Sequence, residues 1–97
     1  MPNNIYIYRK RTFLDPVSTN HTSYIHAHVE STREGEYKFG DNMLYIADCH
    51  RQIELEFFLG TKHARKLSLR KINLLIAILM RFRDALAKEI ELIEKFK

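Results

Sequence analysis

Between Ser68 and Phe96 the chain contains neither glycine nor proline, and apolar residues recur there every three or four positions. Nothing else in the sequence limits the fold so tightly. At about 100° per residue, Ile72, Leu75, Ile76, Leu79, Phe82, Leu86, Ile90 and Ile93 form one stripe of an amphipathic helix. Ser68 is a good N-cap residue just before that periodicity starts, so the expectation is one helix over 68–96, about 42 Å long. The apolar run from Ile72 to Met80 lies between Lys71 and Arg81, well short of the roughly 20 residues that cross a bilayer.

A second strip, Leu74, Ile78, Ala85, Leu92 and Phe96, lies beside the first and widens the apolar arc to roughly half the circumference, more than one sheet face covers. Two covers meet that need: a second copy of the same helix, or segment 14–22 folded back over it. Two-fold pairs are the commonest soluble assemblies and a self-complementary strip suits one, so the second strip is read as a homodimer interface. The helix is also about twice as long as an ordinary strand, so its last turns are expected to overhang the sheet. Its other face carries Arg70, Arg81, Asp84, Lys88, Glu91 and Lys95, with Asp84–Lys88 and Glu91–Lys95 in the favourable acid-first spacing.

The first 60 residues read differently, as strands. Ile5, Ile7 and Phe13 share one parity and Tyr6, Tyr8 and Leu14 the other, until "LDP" at 14–16 ends the alternation. After a loop at 17–22, "SYIHAHVES" places Ile25, Ala27 and Val29 on one face and Tyr24, His26, His28 and Glu30 on the other. "TREGE" supplies a turn around Gly35, and Tyr37 and Phe39 resume the pattern. "GDN" at 40–42 fits either a bulge or a turn. "MLYIADCHRQIELEFFLG" adds Leu44, Ile46, Ile53, Leu55, Phe57 and Leu59 with a turn at 48–51. The expected fold is α+β: a single domain over 1–97 with an antiparallel meander of four or five strands over 1–60, a basic loop over 61–67, and the helix.

In a chain of 97 residues that balances 16 Lys and Arg against 12 Asp and Glu, the small basic surplus matters only where it clusters. It clusters twice. Lys62, Arg65, Lys66, Arg70 and Lys71, with His63, crowd the start of the helix, the end whose macrodipole opposes cations and whose free N–H groups welcome an anion. Arg9, Lys10 and Arg11 stand beside Tyr6 and Tyr8, a mixture of cations and stackable rings that single-stranded nucleic acid uses. The bland readings are a solvated loop and a charged edge strand that resists aggregation.

Other chemistry is thinner. His26 and His28 lie two apart on one strand face and could hold a metal, with His21, Cys49 and His50 as further donors, but no zinc spacing is present and no metal or other cofactor is expected. Cys49 and His50 are adjacent without the geometry of a nucleophile and its base, and there is no phosphate loop or serine elbow. A non-catalytic protein is therefore expected. With one cysteine and a start, "MPNNIYIYRKR", unlike a signal peptide, it is expected in the cytoplasm.

Residues 45–90, "YIADCHRQIELEFFLG" followed by "SLRKINLLIAILMRFRDALAKEI", resemble a pattern in small uncharacterised phage and prophage proteins. That resemblance implies a non-catalytic protein that binds a host protein or nucleoprotein stoichiometrically, including components of defence systems, and it carries over no functional residues. The order of strands then helix, ending in "FRDALAKEI", is also similar to Pur and Whirly-type single-strand-binding modules. That likeness is architectural, and it implies the alternative function, a dimer that binds single-stranded nucleic acid through a basic and aromatic face.

Overall fold

The computed structural model describes residues 5–15, 23–31, 42–49 and 51–96. Four strands, β1 (Ile5–Phe13), β2 (Ser23–Ser31), β3 (Asn42–Asp48) and β4 (Arg51–Glu56), precede one helix, α1 (Lys62–Lys95). The strands pair in sequence order, each antiparallel to the next. This is the α+β meander that the alternating first half and periodic second half imply. The expected loop at 17–22, the turn around Gly35, the resumption at Tyr37 and Phe39, and residues 40 and 41 of "GDN" lie outside the described residues.

Register decides which side chains share a face. Across β1 to β4, Arg11 stands opposite His26, His26 opposite Tyr45, and Tyr45 opposite Glu54. The next row on that face runs Arg9, His28, Met43, Glu56. The opposite face carries Lys10, Ala27, Leu44 and Leu55 in one row and Thr12, Ile25, Ile46 and Ile53 in another. One face is thus polar and ring-bearing and the other mostly aliphatic, as period-two alternation requires.

The alternation read through β1 does not hold along its whole length. A register shift between Tyr6 and Tyr8 passes over Ile7, so Tyr6 is opposite Glu30 while Tyr8 is opposite Val29. A bulge of this kind inserts one residue and resets the parity of everything after it. At the other end of the sheet, Asp48 pairs directly with Arg51, and Cys49 leaves β3 with φ 55°. Two-residue hairpins favour positive φ because it matches the strand twist, and a side chain there costs about 1–2 kcal/mol relative to glycine. Among the described residues the buried apolar side chains are Leu44 and Ala47, and no large side chain is fully buried.

Contacts divide the chain into residues 1–65 and residues 66–97. The helix begins six residues earlier than Ser68: Thr61 is the cap, its Oγ1 accepting the Ala64 N–H at 3.0 Å and its carbonyl the Arg65 N–H at 3.0 Å. The expected basic loop at 61–67 is therefore mostly helix. Ser68 sits inside α1 and is its one buried residue. The 34 residues of α1 span about 51 Å. From Ile76 to Phe96 every residue is exposed. Asp84 pairs with its neighbour Arg83 at 3.1 Å rather than with Lys88, an exposed pair worth little. Among the described residues no helix is long and apolar enough to cross a membrane.

Candidate functional site

The polar face of the sheet assembles more chemistry than any single stretch of sequence displays. His26, His28 and Tyr45 form a triangle of rings, with centroids 5.6 Å apart for the two histidines, 5.8 Å for His26 and Tyr45, and 6.1 Å for His28 and Tyr45. Each separation lies in the 4.5–7 Å range where rings interact. One row along, Phe13 meets Tyr24 edge to face at 6.3 Å, and the Arg11 guanidinium carbon lies 4.1 Å from the centre of the Tyr24 ring. That is a cation–π contact.

The far edge of the same face is acidic. Tyr24 donates its hydroxyl proton to Gln52 Oε1 at 2.8 Å, and Gln52 Nε2 donates to Glu54 Oε1 at 3.2 Å. Glu54 and Glu56 end the two rows that Arg11 and Arg9 begin. Charge therefore runs from positive on β1 through rings on β2 and β3 to negative on β4. His26 feels the positive side: burial lowers its pKa below 6.5, and His28, Arg11 and Arg9 push the same way.

The cations and rings expected to act together on β1 are divided by the pleat. Arg9 and Arg11 join the histidine face, whereas Tyr8 and Lys10 stand opposite Val29 and Ala27 on the aliphatic side. In their place the structure supplies Phe13, Tyr24, His26, His28 and Tyr45. The alternation had already put Tyr24, His26 and His28 on one side of β2; which residues of β1 and β3 join them depends on register, which one sequence does not state. Among the described residues no group of three metal-binding side chains forms around His26 and His28. His21 and His50 are outside those residues.

The second basic group stands on the first turns of α1, where no acid occurs in the first turn. Lys62, Lys66 and Arg70 are four apart and stack on one side, with His63 beside them. Lys71 points about 180° from Lys62. Arg65 has structural work of its own, its Nη1 donating to the Leu59 carbonyl at 3.0 Å. The five cations thus divide into a stacked trio, one that ties the helix start to the segment before it, and one on the other side. Cys49, exposed in its turn, is placed by backbone geometry.

No protein-family model, no curated protein and no solved structure matches the chain.

Proposed function

We propose that the chain is a small non-catalytic binding protein that acts by occupying its partner, and that single-stranded nucleic acid is the partner its surfaces suit best. The observation that carries this reading is the grouping of Phe13, Tyr24, His26, His28 and Tyr45 with Arg9 and Arg11 on one sheet face. An open antiparallel sheet bearing rings lets unpaired bases stack, and guanidiniums beside those rings hold the phosphates between them. Lys62, Lys66 and Arg70 add a second place for phosphate at the start of α1, where the helix N–H groups favour it.

Glu54 and Glu56 support a second reading. A carboxylate edge repels phosphate, and a face positive on one side and negative on the other suits a protein surface of matching polarity. That is the partner implied by the phage-protein resemblance, in which the protein occupies, and so blocks, a host factor.

Titrating a labelled single-stranded oligonucleotide with the protein separates the two. Micromolar binding that weakens as salt rises and is lost in Arg11→Gln with Tyr45→Ala is the expected result. No binding at hundreds of micromolar, together with capture of a host protein that survives nuclease, would transfer the function to the second reading.

A further inference from the structure

The exposed apolar side of α1 also fits a seven-residue repeat. Ile72, Leu79, Leu86 and Ile93 recur every seven residues, and Leu75, Phe82, Glu89 and Phe96 follow at the intervening three-residue step. A seven-residue repeat held over several turns is the pattern of a left-handed coiled coil, in which each such residue packs into the facing helix. Ile78, Ala85 and Leu92 flank this seam on one side and Ile76 and Ile90 on the other. Ile76, Leu79, Phe82, Leu86, Ile90 and Ile93 are between 47% and 59% exposed. With Ile78 and Leu92 they present on the order of 700 Å², close to the roughly 800 Å² that each partner contributes to a standard stable interface.

Charge along the helix then selects the occupant and its direction. Lys62, Arg65, Lys66, Arg70 and Lys71 stand before Met80 with no acid among them, whereas from Arg81 to Lys95 the cations Arg81, Arg83, Lys88 and Lys95 are matched by Asp84, Glu89, Glu91 and Glu94. A second copy running parallel would set the basic half against the basic half and Glu89 against Glu89 inside the seam. A copy running antiparallel instead sets each basic half against a half of balanced charge that carries all the acids. It also leaves the seam in register: Leu79 packs with Phe82, Leu75 with Leu86, and Ile72 with Glu89, each layer made twice by the two-fold axis. In that alignment Glu89 lies one residue, about 1.5 Å along the axis, from the level of Lys71 of the second copy. A single charged residue in a coiled-coil seam costs stability but fixes register when its counter-charge is at hand.

We propose that α1 is covered by α1 of a second copy of this chain in an antiparallel pair centred between Met80 and Arg81. The two helix starts are thereby placed at opposite ends of the pair. This pairing is independent of what the sheet face binds.

Disulfide trapping tests both the occupant and the direction. In a Cys49→Ser background, full-length Ile72→Cys and Glu89→Cys chains are oxidised alone and as an equal mixture. The two copies of residue 72 are about 25 Å apart along an antiparallel pair, whereas a disulfide needs Cα atoms within about 7 Å. The expected result is a mixed 72–89 disulfide formed at least tenfold more than either homodisulfide, with wild-type protein sedimenting at the mass of two chains or more. Efficient 72–72 linkage would establish a parallel pair and overturn the proposal. So would a wild-type monomer at tens of micromolar, including one whose helix instead binds anionic vesicles.

Discussion

His26 and Tyr45 are direct cross-strand partners on β2 and β3, their ring centroids 5.8 Å apart. On the other side of His26 stands Arg11, and beside it on the same strand face is His28. The imidazole is thus held between a ring and a fixed cation with a second histidine in contact. A proton is least welcome there.

The pH dependence of stability follows from that placement. Burial, His28, Arg11 and Arg9 lower the pKa of His26 below its ordinary 6.5, so the unfolded chain binds this proton more readily than the folded one. Stability contributed in this way is fully present above pH 6.5 and is lost as pH falls through the folded-state value. Thermal midpoints measured from pH 7.5 down to 5.5 should fall for the wild type and fall less for His26→Gln. A wild type that gains stability over that interval would show that His26 is held charged by a group acting more strongly than its cationic neighbours.

Cys49 makes the turn between β3 and β4 with φ 55°. Glycine adopts that conformation without a Cβ clash, so Cys49→Gly should stabilise the chain by about 1 kcal/mol, offset in part by the greater freedom of the unfolded glycine. Urea titration reads the change. If Cys49→Gly instead lost partner binding with its fold intact, the thiol would have a role beyond the turn.

These residues also show where a single sequence stops being informative. The strand-then-helix order is legible because alternation and a three-to-four repeat are local signals, and "SYIHAHVES" alone gives the face of β2. The bulge after Tyr6 is not local, since only pairing with β2 reveals that Ile7 is passed over. For the same reason Phe13 and Tyr45 could not be assigned to the histidine face from periodicity. The start of α1 is not legible because Ser68 and Thr61 are both good caps, and half of residues 62–67 are cations where an apolar repeat would mark a helix from outside.

Thr61 is therefore the residue whose loss should fray α1. Removing the Oγ1 that accepts the Ala64 N–H leaves an orphan donor, and Thr61→Ala should cost about 1 kcal/mol, with Thr61→Ser close to wild type. Amide exchange at residues 63–66 gives a direct readout. Unchanged protection there in the alanine variant would mean that the Arg65 bond to the Leu59 carbonyl is enough to hold the first turn.

The basic start of α1 gives the prediction that best separates fold from function, because its cations differ in what they touch. Lys62, Lys66 and Arg70 stack on one side of a helix end with no acid in its first turn; Lys62 opposes the dipole by roughly 0.3–1 kcal/mol when exposed, and the like charges at 62/66 and 66/70 repel by about 0.2–0.5 kcal/mol a pair. Replacing the three by Gln should raise the stability of the free protein by about 1 kcal/mol and weaken binding to a single-stranded oligonucleotide. The dependence of log affinity on log salt should become shallower by about 2, since each phosphate contact to a single strand contributes about 0.7. Arg65→Gln should behave otherwise: it removes a hydrogen bond of 3.0 Å to the Leu59 carbonyl and should lower stability by about 0.5–1 kcal/mol. Its effect on the salt slope should be at most one contact. Stability and affinity thus move in opposite directions for the trio and in the same direction for Arg65. If the trio variant melted lower than wild type and bound with an unchanged salt slope, these cations would serve the fold, and the phosphate contacts would have to come from Arg9 and Arg11 on the sheet. If it melted higher while nuclease-resistant capture of a protein partner was lost, the same surface would be assigned to an acidic protein, where charges at the rim act mainly on the association rate.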